Sequence, residues 1–500
     1  MALKRQFSIL PQLSAVVDLR PIGLVTGTVL IVLSVFMIPP LIADLVLDNP
    51  DWQVFFVSAC ATCFLGAVLV LMNRGHRTGE LTIRQGFVLT NTVWLVTSLF
   101  GALPLMLSGL GIGITDAFFE AASGLTTTGA TVLTGLDNMP RGILLWRAIL
   151  QWLGGIGIIV MGIAVLPMLN IGGMQLFRTE SSDRSEKILP RAAQIASNSG
   201  VVYVLLTILC AAAYMIAGME SFEAVAHSMT TLSTGGLSTR DASIGGFNNS
   251  AIEWTSSLFM TLAGLPFVLY IQFLRGSFRP IVTDVQVRWY LCIIGIGVAA
   301  LATEHFINGD PFQQPGEILR HSVFGAVTVI TGTGYSADDY SKWGPLAIAM
   351  IFFYSCIGGC TGSTTGGIKI FRFVVLYQIS RVQLLRLFQP SGVFRVVYNR
   401  RTLADATATS VLAFIFIFGL TFVVVCLLLA MSGLDFVAAM SGSIAALANV
   451  GPGLGPIIGP AGNYATVTDS AKWVLSFAML AGRLELFTIL VLFVPAFWRA

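Results

Sequence analysis

Residues able to do covalent chemistry are scarce in this chain, whereas residues able to hold an ion through the main chain recur. The stretch Leu125-Thr126-Thr127-Thr128-Gly129-Ala130-Thr131 has three variants downstream: Leu232-Ser233-Thr234-Gly235-Gly236, Ile330-Thr331-Gly332-Thr333-Gly334-Tyr335 and Ala448-Asn449-Val450-Gly451-Pro452-Gly453. Extended backbone of this composition exposes carbonyl oxygens, and rings of carbonyls can replace the hydration shell of a monovalent cation. Glycine accepts backbone angles that a Cβ forbids and leaves a lumen unobstructed. The chemistry indicated is ion coordination. The histidines His76, His227, His305 and His321 form no metal-ligand spacing, and His227, inside a short helix, reads as structural. The seven cysteines all sit in apolar runs; Cys60-Ala-Thr-Cys63 reads as buried packing, with no polar partner set nearby. No cofactor is expected, and no residue is assigned a catalytic role.

The elements that position these stretches repeat with them. Each follows a short amphipathic segment beginning at an acidic residue, Asp116, Glu220, Glu317 or Asp435, and each precedes a polar linker and a long apolar run. A helix too short to cross a bilayer, followed by extended polar chain, reads as a re-entrant loop. Such backbone is tolerated at membrane depth only where it lines a wet cavity or is buried in protein. A fourfold repeat in a membrane chain suggests four quadrants around one axis. The helix C-terminal ends, pointing at the centre, add a negative dipole.

The 500 residues are 55% hydrophobic and only 11% charged, far below the quarter of charged residues usual in soluble chains. Apolar runs of membrane-crossing length fall at about 21–43, 53–73, 86–109, 142–170, 200–218, 254–274, 289–307, 345–388 (broken inside), 408–431 and 471–498. Lys and Arg concentrate on one side of these spans; the other side holds only Arg141, Arg147, Arg240, Arg320, Lys342 and Lys472. The positive-inside rule makes the first side, with both termini, cytoplasmic. Most carboxylates lie outside, a distribution that gathers cations.

The chain divides into a two-span addition (1–85) and four pore repeats at 86–191, 192–288, 289–401 and 402–500. The third is irregular: its last span is interrupted by Gly358-Gly359-Cys360-Thr361-Gly362-Ser363-Thr364-Thr365-Gly366-Gly367. Five glycines in that run cannot sustain a helix. A phosphate loop is excluded because Ile368 separates Lys369 from the last glycine. A flexible polar loop across a pore reads as a gate, with a fixed structural kink as the alternative. The second anomaly is Arg483 inside the last span, where a charge is costly and must face the pore or a partner. Glu485, two residues on, points away from it if the helix continues.

These features resemble the TrkH/KtrB superfamily of potassium transport proteins, and specifically its TrkH branch. The likeness rests on the four Thr/Gly stretches, the two leading spans, the broken third repeat and the closing Gly482-Arg483-Leu484-Glu485. It implies an all-α integral membrane fold of four helix, re-entrant loop, helix units around one pore, with an N-terminal two-helix addition. It further implies potassium held by main-chain carbonyls at Thr128/Gly129, Thr234/Gly235, Thr333/Gly334 and Val450/Gly451. Beneath them would lie a gate made of the 358–367 loop, with Gly358, Gly359, Gly362, Gly366 and Gly367, together with Arg483. The resemblance also implies a homodimer in the bacterial inner membrane over a cytosolic nucleotide-binding regulatory subunit of the TrkA type. The basic stretch 369–405 could engage that subunit or lipid headgroups. A passive pore and a proton- or sodium-coupled symporter both remain open. A membrane-embedded enzyme does not fit, for want of clustered His and carboxylates.

Overall fold

A computed structural model describes residues 18–75, 81–162, 188–308, 314–399 and 401–499. The described chain is helical apart from one short antiparallel hairpin, Val397–Tyr398 against Arg401–Thr402. Seven helices are long and apolar enough to cross a membrane: Arg20–Val46, Trp52–Asn73, Ile83–Leu107, Arg141–Val160, Gln194–Ile216, Val285–Ile307 and Asp405–Met431. Their outward faces carry large apolar side chains such as Phe64, Ile216 and Phe416, all exposed. In water this surface would be untenable; lipid covers it.

Two of the expected spans are not continuous. The run at 254–274 is Ser250–Ala263 and Phe267–Leu274, bent by 92°. Pro266 stands at the corner without a backbone donor, and the Tyr290 hydroxyl occupies the space a Cβ on Gly264 would need. The run at 471–498 is Asp469–Arg483 and Leu486–Phe493, bent by 111°, with Glu485 at φ +62° between them. The third-repeat span divides as expected into Pro345–Ser355 and Ile370–Phe388. The span drawn over 142–170 is helical through Val160, and its end lies outside the described residues.

The order long helix, short helix, loop, second helix occurs four times. The short helices are Ile114–Leu125, Ser221–Leu232, Pro315–Ile330 and Phe436–Leu447. Asp435 caps the last one, its carboxylate accepting from the Val437 and Ala438 amides, and Pro315 opens the third where a missing donor costs nothing. The N-terminal hairpin packs on the first unit. Its helices touch backbone to backbone at Gly27 and Gly66, where a Cβ on either would strike the other's carbonyl oxygen. Asp44 pins the hairpin near its turn by accepting from the Gly142 amide at 2.8 Å.

Candidate functional site

All four short helices end in the same way. The amides of Thr128, Gly235, Thr333 and Val450 donate back to the carbonyls of Ser123, Thr230, Thr328 and Ala445, each at 2.9 Å. The residue before each, Thr127, Thr234, Gly332 or Asn449, has φ between +53° and +67°. This is the Schellman termination, in which one left-handed residue turns the chain out of the helix. A β-branched threonine in that conformation is strained, and two of the four ends carry one. Such strain persists only where the surroundings over-determine it.

The next residue in each loop is a glycine with positive φ: Gly129 (+83°), Gly236 (+75°), Gly334 (+74°) and Gly451 (+96°). A Cβ on Gly129 would strike the carbonyl oxygen of Gly235; on Gly236, that of Thr333; on Gly334, that of Val450; on Gly451, that of Thr128. The four contacts close on themselves, so the units stand in chain order around a ring of main-chain oxygens. Thr128/Gly129, Thr333/Gly334 and Val450/Gly451 occupy equivalent positions. In the second unit the equivalent pair is Gly235/Gly236, one residue beyond the expected Thr234/Gly235. Thr234 instead matches Thr127. Counting three residues from the last apolar residue of each short helix, Leu125, Leu232, Ile330 and Leu447, reaches the equivalent position in all four.

Buried polar side chains hold the ring from behind. Gln151 donates to the Gly235 carbonyl at 2.6 Å and accepts from the Leu237 amide at 3.0 Å. Tyr464 donates to the Gly451 carbonyl at 2.8 Å, and Asn449 donates to Thr128 Oγ1 at 2.9 Å. Tyr335, the residue after Gly334, reaches the Thr230 and Thr231 hydroxyls and the His227 carbonyl. Sequence reasoning missed Gln151, Tyr464 and Asn449 as supports. Gln151 was detectable as a lone amide in an apolar run, where a polar group requires a partner.

The face of the ring that carries the six sparse basic residues is knitted by ion pairs. Arg147, fully buried, binds Glu120 at 2.7 Å and also donates to Thr131 Oγ1 and to the Ser238 carbonyl of the second unit. Arg141–Glu220 joins units one and two, Arg320–Glu253 units two and three, and Lys472–Asp116 units four and one. Arg240–Glu223 and Lys342–Asp339 lie within units; the Glu223 hydrogen bond raises the Arg240 pKa above its ordinary value. Every basic residue expected outside is therefore paired. Asp44 and Asp241 accept from backbone amides instead, bonds that fix their position and leave their charge in place.

Below the ring runs the glycine-rich break. Its ends meet in a parallel bridge, Ile357 to Ile368. The bend of the second unit holds it: Cys360 donates to the Gly264 carbonyl at 3.0 Å and Phe267 to the Gly362 carbonyl at 2.9 Å. Gly366 lies so close to the fourth loop that a Cβ would strike the Ala448 carbonyl oxygen, and a Cβ on Gly358 would strike that of Gly366. Gly359 hydrogen-bonds Thr365 Oγ1 through its amide, and Gly362 and Gly367 have positive φ. Arg483, buried, donates from Nη1 to the Thr364 carbonyl at 3.0 Å. Thr234 Oγ1 reaches Thr364 Oγ1 from above at 3.4 Å. Glu485 turns away to Arg372 at 2.7 Å. It does so because the helix ends at Arg483, not because of an i+2 offset within one helix.

The family model described as TrkH, cation transport protein, matches residues 52–500. A Trk system potassium uptake protein TrkI from Halomonas elongata is 45% identical over 480 residues, covering 96% of this chain and 97% of that protein. A Trk system potassium uptake protein TrkH from Escherichia coli K12 is 37% identical over 485 residues, covering 96% and 99%. The crystal structure of the potassium transporter TrkH from Vibrio parahaemolyticus is similar at a TM-score of 0.88 and 35% identity, covering 96% of this chain and all of that one.

Proposed function

Because the chain belongs to the TrkH family of cation transport proteins, we propose that it takes up potassium across the bacterial cytoplasmic membrane through the ring of four loops. The observation that carries this reading is the closed cycle of glycine to carbonyl contacts between successive units. Oxygens spaced by backbone packing, and braced by Gln151 and Tyr464, hold a fixed cage that substitutes for ion hydration. In this reading the coordinating positions are Thr128/Gly129, Gly235/Gly236 with Thr234 just below, Thr333/Gly334 and Val450/Gly451. The 358–367 loop lies beneath as a gate. Arg483, hydrogen-bonded to the Thr364 carbonyl, supplies a positive barrier to a departing cation until the loop moves.

Both termini are taken as cytoplasmic, from the sidedness of Lys and Arg. The working unit is proposed to be a homodimer over a TrkA-type nucleotide-binding subunit, with lipid around it and no cofactor in the chain itself. The test is rubidium uptake into proteoliposomes holding only this chain, with potassium, sodium and pH gradients imposed one at a time. Uptake that follows the potassium gradient alone, and is competed by potassium more than by sodium, is expected. Uphill uptake driven by a proton or sodium gradient would replace the passive pore with a coupled symporter.

A further inference from the structure

Beneath the ring, Thr361, Gly362, Ser363, Lys369 and Arg483 line a cavity between the glycine-rich loop and the corner at Gly482. Two of these side chains are cationic, and both are at least nine-tenths buried. Lys369 donates to the Thr365 carbonyl and hydroxyl. Arg483 spends only Nη1 on the Thr364 carbonyl; its Nε and Nη2 have no hydrogen-bond partner among the described residues, and neither has the Thr361 hydroxyl. The carboxylate at the cavity wall, Glu485, is taken by Arg372 at 2.7 Å. That pair is neutral. Lys369 and Arg483 therefore stand in a buried site with no ion-pair partner among the described residues.

A buried guanidinium with idle donors and no carboxylate partner is costly at membrane depth. Water can satisfy the idle donors without cancelling the charge. We propose that this cavity binds a small inorganic anion of the halide class, held by Arg483 Nε–H and Nη2–H and the Thr361 hydroxyl, with the Lys369 amine at the cavity wall. The void has room for about two water-sized species, enough to admit a halide. Resting on the reading of Arg483 as the barrier below the ring, the inference adds a role: the anion offsets the guanidinium charge and eases cation passage. The barrier height then depends on halide as well as on loop position.

The direct test is crystallographic and independent of transport. Crystals of the full chain grown in bromide instead of chloride are expected to show an anomalous peak within hydrogen-bonding reach of Arg483 Nε and Nη2. Absence of that peak overturns the site, and a peak that persists unchanged in Arg483→Gln marks an adventitious ion only. The functional test is rubidium uptake at matched potassium in chloride, bromide or gluconate. Uptake is expected to fall roughly tenfold in gluconate, as removal of a unit charge several ångströms from the path predicts. Equal rates in all three salts refute the role. Should Arg483→Gln not fold, Thr361→Val serves: it must raise the halide concentration needed for half-maximal uptake several-fold, and an unchanged value overturns the assignment. A bromide peak in a chain that carries no rubidium upholds the site and sinks only the conduction reading.

Discussion

Replacing Gly236 by alanine perturbs one oxygen of the ring and little else. At φ +75° an L-residue costs about 1–2 kcal/mol. The added Cβ would also occupy the position of the Thr333 carbonyl oxygen, which is backbone and cannot swing aside as a flexible side chain would. Relief to ordinary van der Waals distance moves that oxygen by on the order of 1 Å, enough to remove one ligand from the ring. Hydrogen bonds to charged groups contribute about 1.5–3 kcal/mol, and a ligand oxygen lost from a cation should cost a similar amount. The potassium concentration needed to compete should therefore rise roughly ten- to a hundredfold, and the advantage over sodium should shrink. Competition of rubidium uptake by potassium and by sodium in proteoliposomes reads this directly. Gly111→Ala is the control: Gly111 also has positive φ but nothing lies within 4 Å of its Cβ position, so it bears the backbone cost with competition unchanged. If Gly236→Ala leaves competition intact while Gly235→Ala destroys it, the register drawn here is wrong and Thr234/Gly235 is the working pair.

Three further perturbations separate gate, corner and rim. Arg483→Ala removes the positive charge under the ring and the bond to Thr364, and should raise basal rubidium leak; wild-type leak at every imposed potential refutes the barrier role. Arg372→Met strands the Glu485 carboxylate in a buried site and should destabilise by about 3–5 kcal/mol, seen as a lower thermal midpoint in detergent. Adding Glu485→Leu should recover most of that loss, and a double variant no better than the single would show that the pair matters for more than charge balance. At the rim, Lys472→Met should destabilise more than Arg141→Ala. Lys472 is buried beside Asp116, whereas both Arg141 and Glu220 are exposed and such pairs contribute about 0–1 kcal/mol; equal midpoints would contradict this ranking.

Much of the architecture was legible because its signals are local. A run of apolar residues declares a span by length alone, and Leu125 to Gly129 resembles Ile330 to Gly334 whatever lies between them. Five glycines in ten residues deny a helix at 358–367 without reference to any neighbour. Arg483 was conspicuous because a guanidinium in an apolar run has to be accounted for. The sequence by itself therefore determined the class, the recurrence of a short helix followed by a Thr/Gly loop, and the two anomalies in the third and fourth units.

Other features depend on contacts between residues far apart in the chain, and only the tertiary structure decided those. Thr234-Gly235 looks like Thr128-Gly129, yet the helix end places Gly235-Gly236 in the ring, because the amide that closes the Schellman turn is counted from Leu232 and not from the nearest threonine. The corner after Arg483 could not be read from an apolar run. It exists because Arg483 is drawn to the Thr364 carbonyl and Glu485 to Arg372, two partners that no single helix face could serve. The order of the units around the ring has the same origin. Each glycine lacks a Cβ because another unit's carbonyl oxygen fills the space, and a requirement set by a backbone some hundred residues away leaves no pattern in the sequence beside it.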